Sequence, residues 1–315
     1  MYVTFAAATA HGAESSSYPN RAIRWIVPLP PGGGADIVAR TIAERLSKSL
    51  GQQVIVDNRG GGGTVIGAHL AAQAPADGYT WLLGTATTHA INASLVKKLP
   101  YDPLRDFAPV TLVAVLPQVF VAHASLPANT LQDVVTLARR RPGEILYASS
   151  GNGSANQLAV EMLKSVAGID MVHVPYKGIS GAIPDLLAGN VQFMSTTIAP
   201  IVPHLKSKRL KAYAVANSRR SALLPEVPTT AEAGAPGVEA TSWNGVMVPA
   251  GTTREIITRI HAEVVSVVKQ PDLAGKFLGY GVEPVVNTPA EFVAYIERES
   301  ARYAKVVKES GARLD

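Results

Sequence analysis

The segment from residue 23 to residue 50 reads IRWIVPLPPGGGADIVARTIAERLSKSL and places a strand, a tight loop and a helix in immediate succession. Residues 23–27 are rich in β-branched and aromatic side chains, which predicts a short β-strand. The prolines and glycines that follow predict a tight loop. A helix is predicted from about residue 35 to residue 50, because apolar side chains recur every four residues at Val38, Ile42, Leu46 and Leu50.

The same order of strand, glycine-rich loop and helix recurs along the chain. Residues 54–56 predict a strand, residues 60–63 are four consecutive glycines, and residues 65–73 predict a helix before a strand at 81–84. Residues 145–168, ILYASSGNGSANQLAVEMLKSVAG, repeat the pattern and precede a strand at 172–174. Repeated βα units predict an α/β fold with parallel sheets that carry helices on both faces.

Composition sets the size and excludes several classes of protein. The 315 residues are enough for two domains, and 47% hydrophobic against 17% charged residues can bury a large core. The net charge of +5 is not concentrated in a basic patch with interleaved aromatic residues, so no nucleic-acid partner is expected. The chain has no cysteine, which excludes disulfides, thiolate metal sites and a cysteine nucleophile.

The first nineteen residues predict either the remnant of an export signal or a disordered start. Residues 2–10, YVTFAAATA, are apolar or small and end in an A-x-A pattern that is typical of signal-peptidase sites, although no basic segment precedes them. We therefore expect export to the periplasm. No later run of about 18 uncharged apolar residues predicts a membrane span.

Two strands are predicted to cross between two lobes. One covers residues 110–113 and continues to about residue 120, and the other covers residues 245–248. The helices at about 255–268 and 289–307 follow the second crossing. The predicted lobe I is residues 20–123 with 246–315, and the predicted lobe II is residues 124–245.

Two glycine-rich loops are the first candidates for a binding site. Each joins a strand to a helix, so backbone N–H groups and a helix N-terminus can meet an anion there. The first loop contributes Pro31, Gly32, Gly33, Gly34 and Asp36, and the second contributes Ser149, Ser150, Gly151, Gly153 and Ser154. Asp36 and Ser154 could instead cap their own helices. If the loops face each other, they form an electropositive cleft at the carboxyl ends of strands.

Three further places could contribute to the same site. The hydroxyl-rich loop with Thr87, Thr88 and His89 follows a strand, although a histidine in such a loop is more often structural. Tyr176 could pack on a ligand, and Trp243 could form a cleft wall instead of belonging to the core. The motifs of nucleotide binding, of serine hydrolases and of histidine metal sites are absent, so we expect no cofactor, no metal and no catalysis.

These elements together resemble the solute receptors of tripartite tricarboxylate transporters, the Bordetella uptake gene family. The matching stretches cover nearly the whole chain from residue 18 and are PGGGAD at 31–36, VIVDNRGGGGTVIG at 54–67, THAIN at 88–92, LPYDPLRDFAPVTLVA at 99–114, SSGNGSANQLAVEML at 149–163, HVPYKG at 173–178 and LPEVPTTAEAGAPGVEATSWNG at 224–245.

The resemblance implies a type II periplasmic-binding-protein fold, in which two βα lobes enclose a carboxylate in the cleft between them. It implies that backbone amides, hydroxyls and bridging waters of the two glycine-rich loops hold the ligand, and that hinge closure captures it. It also implies delivery to the membrane permease of such a transporter, and we expect a monomer. The hydroxyl loop, Tyr176 and Trp243 match positions of the family's site.

One departure from the family's pattern bears on the ligand. Thr196 stands where many members carry an aspartate, an acid that would suit a ligand ammonium group. Its absence favours a plain mono- or dicarboxylate, including aromatic ones, over an amino acid. Two alternatives stay open from the sequence: a binding protein that serves a sensor kinase, and an α/β enzyme that acts on carboxylates.

Overall fold

A computed structural model describes residues 18–310, and in that range ten strands form one mixed β-sheet. Residues 1–17 of the predicted export remnant lie outside the described residues. The strands are β1 (Ile23–Val27), β2 (Val54–Asn58), β3 (Thr80–Thr85), β4 (Phe107–His123), β5 (Leu146–Ser149), β6 (Val172–Pro175), β7 (Phe193–Thr197), β8 (Leu210–Val215), β9 (Thr241–Pro249) and β10 (Glu283–Pro284).

Helices connect these strands and cover the sheet. They are α1 (Gly34–Leu50), α2 (Val65–Ala72), α3 (Asn92–Leu95), α4 (Leu131–Arg140), α5 (Ala155–Ala167), α6 (Ile179–Ala188), α7 (Val202–Lys206), α8 (Arg254–Val268), α9 (Pro271–Leu278) and α10 (Pro289–Ser310). The helices that the sequence predicts correspond to α1, α2, α5, α8 and α10, and a predicted helix that ends near Leu187 corresponds to α6, whereas α3, α4, α7 and α9 were not predicted. Within residues 18–310, no helix combines the length and the apolar character needed to cross a membrane.

The long strand β4 joins two halves of the sheet. The strand order is β2-β1-β3-β9-β4-β7-β5-β6, with β8 and β10 also paired to β4. Residues 107–117 of β4 pair with β9, and residues 118–123 pair with β7 and β8. Strands β1, β2 and β3 run parallel to one another in the first half, as β5, β6 and β7 do in the second.

Each half has its own hydrophobic core. In the first half, α1 buries Val38, Ile42 and Leu46 against β1 and β3, which is the face that the spacing of four predicts. In the second half, α5 packs on the strands around Tyr147. The predicted boundaries of lobe I and lobe II fall near these two halves and stay a prediction.

Candidate functional site

Two neighbouring cavities lie where the halves of the sheet meet. The outer cavity has a volume of about 410 Å³ and the inner chamber about 70 Å³. They share four lining residues, which are Leu29, Pro30, Ser150 and Gly178. The inner chamber reaches the sheet itself, because its wall includes residues of β4 and β9, namely Leu116, Gln118, Ser242 and Asn244.

The first glycine-rich loop and the start of α1 form one wall of the inner chamber. Gly33, Gly34, Ala35 and Asp36 line it, while Pro31 lines the outer cavity. Gly33 is the N-cap and has no side chain to satisfy the first N–H groups of the helix. The amides of the first helical turn have no acceptor within their own helix, so they are available as donors at this wall.

Asp36 holds the first loop in place. Its carboxylate accepts the Gly32 amide at 3.0 Å, the Arg40 Nε at 3.0 Å and the Asn58 Nδ2 at 3.0 Å. Burial alone would raise the pKa of Asp36, but these hydrogen bonds outweigh it and lower the pKa below its ordinary value. The carboxylate is therefore occupied by its neighbours, but it does not cap α1 as the alternative interpretation expects, because the amide that it accepts belongs to Gly32, which precedes the N-cap.

The second glycine-rich loop forms the opposite wall and is held by Ser149. The Ser149 Oγ accepts the Gly151 amide at 3.0 Å and lies 2.7 Å from His173 Nε2. Ser150 and Gly151 line the outer cavity. Gly151 and Gly153 have φ values of 131° and 72°, which L residues rarely adopt. Ser149 and Gly153 determine the shape of this loop but line neither cavity.

Ser154 caps its own helix, as the structural interpretation of this residue predicts. Its Oγ accepts the Gln157 amide at 3.3 Å and caps α5. It also lines the outer cavity. The hydroxyl is thus at the cavity wall but already has a structural partner.

A third helix N-terminus meets the same chamber. Gly178 is the N-cap of α6, and Gly178, Ile179 and Ser180 all line the inner chamber. The starts of α1 and α6 thus border the chamber, and the side chain of Asn156 from the first turn of α5 completes its wall. Helix N-termini carry positive partial charge, so the chamber is suited to an anion.

Among residues 18–310, no cationic side chain lines the inner chamber. Of these described residues, Asp36 is the only charged one that lines the inner chamber, and the exposed Lys177 is the only charged one that lines the outer cavity. An anion in the chamber would therefore depend on backbone dipoles and neutral donors. The outer cavity adds apolar and glycine surfaces, chiefly Pro28, Leu29, Pro30, Tyr176 and the loop of residues 60–64.

The hydroxyl loop splits between the cavity and the core. Thr87 lines the outer cavity. Thr88 and His89 are fully buried, and the Thr88 Oγ1 lies 2.7 Å from His89 Nδ1. Burial lowers the pKa of His89 to about 3, so the ring is neutral and packs edge-on against Phe107.

Two other predicted residues also lie away from the cavities. Trp243 is fully buried in the hydrophobic core, edge-on to Phe292, and does not line the cleft. Thr196 is buried in β7 opposite Val119, and its neighbour Thr197 is the residue that lines the inner chamber. Tyr176 does line the outer cavity, where its hydroxyl donates to Asp185 at 2.5 Å.

The sequence did not predict the polar residues of β4 and β9 that line the chamber. Gln118 is 1% exposed and accepts a hydrogen bond from Asn156 Nδ2 at 2.9 Å. Its one signal in the sequence is a lone amide in the apolar run of residues 110–122. Asn244 is also buried, and its Oδ1 has no hydrogen-bond partner among the described residues. Within residues 18–310, no cluster of histidine and acidic side chains could hold a metal ion.

Comparison with known proteins identifies the family. The family described as "Tripartite tricarboxylate transporter family receptor" matches residues 38–312. The chain belongs to this family. The resemblance inferred from the sequence is thereby confirmed, and receptors of this family are periplasmic binding proteins rather than enzymes.

Several relatives match over almost the whole chain. Protein BugT of Bordetella pertussis is 37% identical over 302 residues, which are 96% of this chain and 93% of BugT. The structure of R. palustris Rpa4515 with adipate has a TM-score of 0.91 and 36% identity, and covers 94% of this chain and 99% of that one. MatC from Rhodopseudomonas palustris with bound malate has a TM-score of 0.86 and 30% identity, and covers 92% and 100% of the two chains. The predicted periplasmic-binding-protein fold is thus confirmed.

Proposed function

We propose that this receptor captures a small mono- or dicarboxylate in the cleft between its two lobes. The observation that carries the proposal is the inner chamber, where the starts of α1 and α6 converge without a cationic side chain. Backbone dipoles and neutral donors suit a carboxylate because they stabilise negative charge without a desolvated counter-ion. The adipate and malate of the two related structures belong to the same class of ligand.

The residues that we propose as ligand contacts are fewer than the sequence suggested. They come from the first loop, the second loop and the outer wall, and are Gly33, Gly34, Thr87, Gly151, Tyr176 and the backbone of Ser150. Ser154 also lines the outer cavity, but its hydroxyl already caps α5 and is not proposed as a contact. Asp36 and Ser149 support the loops through their hydrogen bonds. Thr88, His89, Thr196 and Trp243 are left out because they do not line either cavity.

Amino acids remain poor candidates for the ligand, but for a reason other than the identity of Thr196. Thr196 lies outside the chamber, so the absence of an acid there does not act on the ligand directly. Asp36 is the only acid that lines the chamber among residues 18–310, and it already accepts hydrogen bonds from three groups. A ligand ammonium group would therefore meet helix N-termini and find no free carboxylate.

Capture is proposed to occur by hinge closure about β4 and β9. The two halves contact each other at several places, among them Pro30 with Gly178, Gly34 with Thr197, the 2.9 Å ion pair of Arg219 with Glu283, and the packing of α5 on α10. A ligand that contacts both halves favours this closed arrangement. We further propose that the receptor works as a periplasmic monomer that delivers its ligand to the permease of a tripartite tricarboxylate transporter.

A thermal-shift screen tests the ligand class. Adipate, malate, acetate and benzoate are compared with aspartate and glutamate, and a bound acid at 100 times its Kd adds about 2.7 kcal/mol of stability. Stabilisation by amino-free acids alone is the expected result. Stabilisation by the amino acids alone contradicts the proposal. Small-angle scattering then tests closure, since a bound acid should reduce the radius of gyration.

A further inference from the structure

Gln118 stands at the floor of the inner chamber as part of a chain of neutral hydrogen bonds. The Ser150 Oγ donates to Asn156 Oδ1 at 2.8 Å, and the Asn156 Nδ2 donates to Gln118 Oε1 at 2.9 Å. The Ser195 Oγ donates to the same Oε1 at 3.4 Å. This chain runs from the second glycine-rich loop, through α5, to the centre of β4.

The chain leaves one donor unused. Because Gln118 Oε1 accepts from two neighbours, its Nε2 is the end that remains for the chamber, and it donates to no residue between 18 and 310. The side chain is 1% exposed and lines the chamber. Because the side chain lines the chamber, a ligand there can supply the acceptor that no described residue provides.

We propose that Gln118 is a specificity-determining residue that donates its Nε2–H to the ligand carboxylate in the inner chamber. The proposal rests on the proposed function and deepens it. A carboxylate oxygen accepts this bond, whereas an ammonium group has no acceptor to offer. Gln118 thereby selects for the acid end of the ligand, and Ser150 maintains its orientation through Asn156.

Gln118→Glu is the sharpest variant because it changes one atom. The carboxylate of the variant can still accept from Asn156 Nδ2 and Ser195 Oγ, but its second oxygen faces the chamber as an acceptor. With adipate as the probe, titration calorimetry at pH 8 should give a Kd about 100-fold above that of the wild type. Affinity should recover partly as the pH is lowered toward 5.5, relative to the wild type, because the protonated acid can donate again.

Ser195→Ala is the matched control. It removes the longer contact to Oε1 and leaves the bond from Asn156, so its Kd for adipate should stay within about threefold of the wild type. A Gln118→Glu variant that binds adipate within threefold of the wild type overturns the role of Gln118, and would mean that the amide presents its oxygen to the chamber.

A measurement on the wild type covers the case in which the variant does not fold. The assigned side-chain amide signals of Gln118 in the ¹⁵N–¹H spectrum should move when adipate or acetate is added. Binding of either acid without any change in these signals contradicts the proposal. If neither these acids nor malate binds the wild type, the proposed function itself is wrong.

Discussion

The two glycine-rich loops look alike in the sequence but are held in place by different chemistry. In the first loop, the buried carboxylate of Asp36 accepts a hydrogen bond from the Gly32 amide and is paired with Arg40. In the second loop, the neutral hydroxyl of Ser149 accepts a hydrogen bond from the Gly151 amide. His173 of the neighbouring strand β6 also lies within hydrogen-bond distance of that hydroxyl. One loop is thus fixed by charge and the other by neutral hydrogen bonds.

This difference has two consequences for the site. Asp36, the only acid that lines the chamber in the described part of the chain, is paired with Arg40 at the start of α1, so its repulsion of an anionic ligand is reduced. The second loop keeps its polar side chains neutral and can therefore extend them toward the chamber through Ser150 and Asn156. The first loop also approaches the other half of the sheet closely at Gly34. The largest predicted effect on binding follows from that close approach.

Gly34→Ala should weaken binding more than any other single change in the two loops. A Cβ at Gly34 would lie 2.7 Å from Thr197 Oγ1 and 2.9 Å from Leu116 Cδ2, so a methyl group pushes α1 away from the second half. Overpacking of this kind costs about 1–3 kcal/mol, which predicts a Kd for adipate roughly 5- to 150-fold higher. Titration calorimetry measures it.

Gly275→Ala in α9 is the control for this prediction, because Gly275 lines neither cavity. No described atom lies within 4 Å of a Cβ at Gly275, and its φ is outside the left-handed region. Its affinity should match that of the wild type. Equal affinities for both variants would show that the close approach of Gly34 has no role in binding.

Asp36→Asn tests the charged fixation of the first loop. At pH 7 the variant should lose roughly 1.5–3 kcal/mol of unfolding free energy, because hydrogen bonds to a charged group are replaced by neutral ones. The pKa of Asp36 is lower in the folded protein than its ordinary value. Its stabilising effect is therefore present above pH of about 4 and is lost as the pH falls through the folded pKa.

Urea unfolding at several pH values checks this dependence. The gap between the wild type and Asp36→Asn should be full at pH 7 and should shrink at pH 3. A gap that is constant between these values would mean that the charge of Asp36 does not hold the loop.

The second loop should respond to acid over a different range. Burial lowers the pKa of His173, Glu161 opposes the change and Lys164 adds to it, with Tyr147 stacked on the ring. Because the unfolded chain takes up a proton below pH of about 6.5 and the folded ring resists it, stability should fall as the pH drops from there through the folded pKa. His173→Gln should remove this part of the acid sensitivity.

Ser149→Ala provides the companion measurement. It leaves the Gly151 amide without its acceptor, which should cost roughly 1–3 kcal/mol of unfolding free energy at pH 7. An acid sensitivity between pH 6.5 and 5 that His173→Gln leaves unchanged would assign that sensitivity to another group.

Local patterns in the sequence predicted the parts of this site that local chemistry determines. The apolar spacing of α1 and the glycine and serine residues of the loops are properties of short segments, and the strands and helices lie where those segments place them. Local patterns did not predict that Thr87 lies at the cavity while Thr88 and His89 lie in the core. That arrangement depends on how the single π-helical turn at Thr87–Ile91 faces its neighbours.

Residues from distant strands could not be placed by such patterns. Trp243 fills the core because Phe292 of α10 packs on it, a contact between residues that are 49 positions apart in the chain. Gln118 reaches the chamber because β4 changes partners from β9 to β7 at this point. A lone polar residue in a buried strand therefore reaches the chamber only because the two halves of the sheet meet there.

The smallest predicted effects separate the two serines that line the second loop's side of the cavity. Ser154→Ala removes the cap of α5, so it should cost about 1 kcal/mol of stability and leave the Kd for adipate within about twofold. Ser150→Ala removes the donor to Asn156 Oδ1, so the orientation of Gln118 loses its support. The expected result is a Kd about fivefold higher, as one neutral hydrogen bond of ~1 kcal/mol predicts.

If the Ser150 hydroxyl contacted the ligand directly, as the family resemblance implies for the loop hydroxyls, Ser150→Ala would raise the Kd by roughly ten- to a hundredfold. In the structure, the Ser150 hydroxyl donates its hydrogen to Asn156 Oδ1. In this arrangement Ser150 therefore has no hydrogen left to donate to a carboxylate. Calorimetry on the two folded variants distinguishes these cases. A hundredfold loss would mean that Ser150 turns its proton toward the ligand on binding, and an unchanged Kd would mean that Gln118 keeps its orientation without Ser150.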